Sequence, residues 1–205
     1  MTVGNEPEGS FSGRMLFSIP IIHTQADMGG LGRSVEKIKI LKYGREKANR
    51  STRLVDKAWE DIEAAVESLP IASGRVRIYQ DGLPVCGVER KIVSELAETG
   101  SRNHQLLLRL EERGAVLMGT ESPQLLLAEY NRAAEELTGA AKPTTRTRET
   151  DTRAHSLLSE RDKYIAARIN KTLASGETAI LFLGMLHSVE PHLDPDIRVI
   201  HPVRR

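Results

Sequence analysis

Four short apolar runs in this chain each end on a polar, chemically capable side chain: Met15 to His23, Arg75 to Asp81, Ala115 to Glu121 and Ala179 to His187. Segments of helical period lie between them. Runs this short, rich in Ile, Leu and Val and bounded by Gly, Pro or Asp, read as strands. Strands that alternate with helices leave little choice of architecture, because each helix is the crossover that returns the chain to begin a parallel neighbour. The pattern predicts an α/β fold in a single domain: a mostly parallel sheet of about five strands with helices on both faces, the last strand being Ile197 to Val203. In open parallel sheets, ligands bind outside the carboxyl ends of the strands. His23, Asp81, Glu121 and His187 are therefore expected around one crevice.

The intervening segments carry their own signals. Leu54, Val55, Ala58, Ile62, Ala65, Val66 and Leu69 recur every three or four residues, which predicts a helix over 51–69 that Pro70 stops. Val88 to Arg113 reads as a long helix broken near Gly100-Ser101 and capped by Gly114. Ser122-Pro123 has the form of an N-cap and first helical residue. Residues 139–153 are polar and rich in Thr and Arg, a mobile-loop pattern, with helix resuming near Ser156. The first 13 residues are polar and Gly-rich, which predicts a flexible N-terminal tail ahead of a domain over 14–205. Arg75 to Tyr79 alternates charge with Val76 and Ile78 and reads as an edge strand or one with a wet face. Ala115 to Met118, wholly apolar, reads as a buried one.

Composition excludes some functions. With 29 basic and 28 acidic residues there is no electrostatic footprint for nucleic acid, so no nucleic-acid partner is expected. No stretch reaches ~20 apolar residues, and the N-terminus has no basic leader before an apolar core, so neither a membrane anchor nor a secretory signal is expected. The single cysteine, Cys86, fits a reducing, cytoplasmic setting and reads as a small buried or half-buried apolar residue. A homo-oligomer is compatible with these features.

The strand-end residues define the candidate chemistry. Imidazole titrates near neutral pH, so His23 and His187 can move protons or, as neutral rings, ligate Zn, Mn, Co or Fe. Asp81 before Gly82 is also a turn signature, and Glu121 before Ser122-Pro123 also suits a helix N-terminus. Arg161, within Glu160-Arg161-Asp162, reads either as a solvated helix face or as a fork for an anion. His201 can supply a third ring from the last strand; His104, His155 and His192 read as surface residues. Gly29, Gly30 and Gly32 follow neither the Rossmann nor the P-loop spacing. No Gly-x-Ser-x-Gly or His-Glu-x-x-His pattern occurs, which argues against a serine-hydrolase elbow and a zincin site.

Glu160-Arg161-Asp162, the rest of its helix, and then Ala179 to Gly184-Met185-Leu186-His187 resemble the TraB/Tiki and erythromycin-esterase/ChaN-like superfamily. Its members pair an early histidine at the end of the first strand with a late Gly-x-x-His, and carry an Arg-Asp pair in the helix before it. The resemblance implies an α/β domain whose cleft serves metal-dependent proteases, a macrolide esterase or haem-associated proteins, with His23, His187 and Arg161 at the matching positions. Pro20-Ile21-Ile22-His23 lacks the usual leading Gly, and Gln80-Asp81 stands where Glu is common.

Two functions follow as expectations. The first is a hydrolase of a small-molecule or peptide substrate. A divalent metal on His23, His187, Asp81 and Glu121 would activate water and polarise a carbonyl, and Arg161 would hold an anionic group or the oxyanion. In a metal-free form a histidine would act as acid or base. The alternative is a ligand-binding or sensor domain using the same cleft without turnover, for haem, a metal or an anionic metabolite. A third reading, a partner-interaction module on the basic stretch Arg146 to Arg153, leaves the strand-end cluster without a role.

Overall fold

The structure, a computed structural model, describes residues 13–24, 27, 45–70, 75–138 and 148–203. Its elements run β1 (Arg14–Ile21), α1 (Arg45–Glu67), β2 (Val76–Gln80), α2 (Glu89–Glu98), α3 (Arg102–Glu112), β3 (Val116–Met118), α4 (Pro123–Thr138), α5 (Arg148–Thr172), β4 (Thr178–Gly184), a 3-10 turn (Glu190–His192) and β5 (Ile197–Ile200). The five strands pair in the order β3-β2-β4-β1-β5, every pair parallel. The α/β class read from the sequence is the observed one.

Period-two alternation divides the strands between two apolar layers. Phe17, Ile19 and Ile21 of β1, Val76 and Ile78 of β2, and Ile180 and Phe182 of β4 pack with Trp59, Ile62 and Val66 of α1 and with α2 and α3. On the opposite face Leu16, Tyr79, Leu181 and Leu183 pack with Ile165, Ala166, Ile169 and Leu173 of α5. Both faces are thus covered, which is why the inner strands read as apolar runs.

Chain order creates the crevice. From β1 the chain steps outward to β2 and β3, then returns to insert β4 between β2 and β1 before leaving to β5 on the other side. The direction of winding therefore reverses about β4, and open α/β sheets bind ligands at such a reversal. Register brings the ends level: Ile21 lies opposite Gly184, and Gln80 opposite Phe182.

Two strand assignments exchange places. β2 is an inner strand and nearly all buried; its Arg77 is tolerated because Nε and Nη2 fork onto Glu177 at 2.5 and 2.9 Å. β3, apolar as it is, is the edge, with Val116 44% exposed. The expected break between α2 and α3 is present: Gly100 has φ +92° and Ser101 N-caps α3 by accepting from the His104 N–H. Helix α5 begins at Arg148, eight residues before the predicted start, so 148–153 are helical, while 139–147 lie outside the described residues. The predicted N-terminal tail, save Gly13, and the Gly29–Gly32 turn also lie outside them. Cys86 is exposed rather than buried, on the turn between β2 and α2. Among the described residues no helix is long and apolar enough to cross a membrane.

Candidate functional site

Asp81 is the hub. It follows β2 by one residue, and its backbone N–H still donates to the Phe182 carbonyl at 2.9 Å, so the strand ladder fixes its position. Its carboxylate is buried and meets donors on both oxygens. Oδ2 accepts from the Gly184 N–H at 3.0 Å and faces His23 Nε2 at 3.3 Å. Oδ1 accepts from Arg161 Nη2 at 2.9 Å and faces His187 Nε2 at 3.5 Å. Burial alone would raise this carboxyl, but His187 and His23 outweigh it and hold Asp81 well below the usual carboxylate range.

His187 reaches Asp81 through a turn in which its own N–H donates to the Gly184 carbonyl at 3.1 Å. The ring is oriented from behind: Nδ1 lies 2.6 Å from Asp162 Oδ1, and Asp162 Oδ2 accepts from the Ser188 N–H at 3.0 Å. A carboxylate on Nδ1 fixes the tautomer and aims Nε2 at the site, the arrangement shared by metal-ligating and acid–base histidines. Burial lowers the His187 imidazole, but Asp162 and Asp81 prevail and raise it to about 9.

His23 is the one member open to solvent, its side chain 40% exposed. The Asp81 contact raises its imidazole against the effect of burial. Both neighbours in the chain are pinned. Trp59 Nε1 donates to the Ile22 carbonyl at 3.2 Å. Thr24 donates from its N–H and Oγ1 to Asp27 Oδ2 at 2.5 and 2.8 Å. Asp27 in turn accepts from Ser101, whose Oγ lies 2.6 Å from His104 Nδ1. Burial would raise Asp27, yet His104, Ser101 and Thr24 bring it down to about 2. The expectation that His104 lies on the surface is therefore corrected: it is 6% exposed and ties the His23 loop to the N-terminus of α3.

Glu121 and Arg161 form the floor. Arg161 places Nε on Glu121 Oε2 at 2.7 Å and Nη2 on Oε1 at 2.8 Å, and Oε1 also accepts from the Gly82 N–H at 2.7 Å. Burial raises the Glu121 carboxyl, with the Arg161 fork pulling the other way. Burial lowers the Arg161 guanidinium, with Glu121 and Asp81 raising it above its ordinary value on balance. Arg161 is 9% exposed, and its Nε and Nη2 are spent on carboxylates inside the protein. It serves as their counter-charge rather than as a solvated face. His201 stands apart: β5 pairs only as far as Phe17↔Ile200, six residues short of His23, and His201 Nε2 contacts Glu190 at 3.1 Å.

Asp81, Glu121 and His187 carry ligand-type atoms all within 4.8 Å of one another. The hydrogen bonds separate their capacities. Both Glu121 oxygens are committed to Arg161, whereas Asp81 gives only Oδ1 to Arg161, and its Oδ2 faces the Gly184 N–H and His23. The close group is therefore Asp81, Glu121 and His187, and His23 meets the same Asp81 carboxylate from its solvent side.

The sequence reading named five of these residues and missed others. Asp162 carries a legible signal: Arg161 and Asp162 lie one turn before Ile165 and Ala166, so they continue the stripe that α5 buries. Asp27, Ser101 and Trp59 carry no such signal, because their partners are 74 and 37 residues away. No family model, curated protein or solved structure matches the chain.

Proposed function

We propose that the crevice is a divalent-metal centre of a hydrolase acting on an ester or amide, with His23, His187 and Asp81 as ligands. One observation carries the reading: two imidazole Nε2 atoms approach opposite oxygens of one buried carboxylate at 3.3 and 3.5 Å. Charge-assisted hydrogen bonds are shorter, about 2.7–2.9 Å. Each nitrogen–oxygen separation matches that of two ligand atoms sharing an ion at ~2.0–2.2 Å, roughly 3.3–3.6 Å in a tetrahedral set. The charge count agrees. Three buried carboxylates, Asp81, Glu121 and Asp162, against one guanidinium leave two formal negative charges, which one divalent cation or two imidazolium rings would balance.

Two imidazoles and a carboxylate suit Zn, Mn, Fe or Co. Such an ion would supply a Lewis acid for a carbonyl and lower the pKa of water. The chain's own part is positional. Asp162 holds the His187 ring, Gly184 admits Asp81 by having no side chain, and Arg161 keeps Asp81 and Glu121 charged together. In a metal-free form His23, at the open edge, would be the group placed to exchange a proton with solvent or substrate. The resemblance to the TraB/Tiki and erythromycin-esterase/ChaN-like proteins points the same way.

A binding or sensor domain without turnover is the second reading. It is favoured by the burial of every charged member except His23. Metal analysis of the purified protein by plasma mass spectrometry, with a visible spectrum and an ester and peptide hydrolysis panel, tests both. One equivalent of metal, lost in the His23→Ala/His187→Ala double variant, together with turnover, is the expected result. Metal without turnover selects the second reading. A Soret band would redirect the work to haem, and neither metal nor haem would overturn the metal reading.

A further inference from the structure

The turn that presents His187 has an unusual composition. Its first and fourth residues, Gly184 and His187, both belong to the site, and the His187 N–H closes it on the Gly184 carbonyl at 3.1 Å. Its two central residues are Met185 and Leu186, 57% and 84% exposed. Turn centres ordinarily hold Gly, Pro, Asn, Asp or Ser. Here two large apolar side chains stand in water, and Leu186 is more exposed than any other large apolar residue among the described residues.

Their place gives them a use. A Cβ built on Gly184 would lie 3.4 Å from His23 Nε2 and 3.6 Å from His187 Cδ2. Met185 follows by one peptide, about 3.8 Å between Cα atoms. The apolar pair therefore follows directly on the residue that both rings approach. The charges behind it offer nothing to an anion: Asp81, Glu121 and Asp162 against the Arg161 guanidinium sum to zero once a divalent ion or two imidazolium rings balance them, and the buried Asp27 carboxylate near His23 adds a negative charge. Arg161, the natural anion fork, is already occupied.

We propose that this site takes a neutral acyl compound, an ester or amide, whose acyl side carries an apolar group seated on Met185 and Leu186. The scissile group rests on the hydrolase reading above; the apolar seat does not.

Binding separates the two. The whole protein, purified with its metal complement, is titrated with primary amides from acetamide to hexanamide and followed by methyl NMR. Affinity should rise about twofold per methylene, half of what full burial gives, and so roughly 16-fold across the four added methylenes. The Met185 and Leu186 methyl signals should shift. A carboxylate at the far end of the six-carbon amide should erase the gain. Met185→Ser/Leu186→Ser, a change of two exposed side chains, should flatten the series. A flat series in the wild type, or an unchanged one in the variant, overturns the proposal. Chain-length-dependent binding with no hydrolysis of the matching esters would uphold the seat and sink the hydrolase reading.

Discussion

Gly184→Ala is the sharpest test of the site, because one methyl group meets its centre. A Cβ there would lie 2.7 Å from Asp81 Oδ2, a distance real Cβ atoms do not show. Ordinary contact begins at 3.4 Å, so the oxygen must retreat by about 0.7 Å or more. The carboxylate cannot yield freely, since Arg161 holds its other oxygen at 2.9 Å and the Gly184 N–H holds Oδ2 at 3.0 Å. Overpacking of this kind costs about 1–3 kcal/mol. In a chain of this size that lowers Tm by roughly 2–10 °C. Metal affinity should fall further, by about 10- to 100-fold, because ligand distances tolerate only about 0.2 Å. Thermal melting and competition with a chromophoric chelator measure the two effects. Gly176→Ala is the control: its φ is +75° and nothing lies within 4 Å of the added Cβ, so it should lose stability and keep its metal affinity. A Gly184→Ala protein that melts and binds metal like the wild type would refute the close packing of Asp81 on Gly184, and with it the site geometry.

Arg161→Leu leaves Asp81 and Glu121 buried without their counter-charge and should cost about 3–5 kcal/mol in urea unfolding at neutral pH; an effect below about 1 kcal/mol would show that the pair is not ionised together. His187, raised from 6.5 to about 9 in the folded state, contributes stability that is fully present below pH 6.5 and is lost as pH rises through about 9. The metal-free protein should therefore lose several degrees of Tm over that window. His187→Gln should abolish that dependence, and an equal slope in the variant would disprove the assignment. Asp162→Asn keeps the shape but weakens the hold on Nδ1; metal affinity should drop about tenfold with little change in fold, as judged by chelator competition and circular dichroism. Asp27→Asn loosens the His23 loop from α3, and the same competition assay should show a drop confined to metal affinity if the clamp serves to position that ring.

The alternation of apolar runs and helical periods determined the fold class, because local periodicity reports which faces of an element are buried. It also placed His23, Asp81, Glu121 and His187 at strand ends, since strand ends are local events. Their roles were not local. Glu160-Arg161-Asp162 looked equally like a wet helix face until α5 was laid on the sheet, which turned Arg161 and Asp162 inward over the strand ends. The ranking of β2 and β3 also went the other way, because strand order decides which strand is the edge, and Arg77 is kept inside by a glutamate 100 residues on. The insertion of β4 between β2 and β1 is what converts four separate strand ends into one crevice. Local sequence carries each element's period and the approximate position of the strand ends, not the element boundaries: α5 begins at Arg148 and β5 ends at Ile200. Which ends meet depends on contacts across 58 to 103 residues, and only the tertiary structure supplies those.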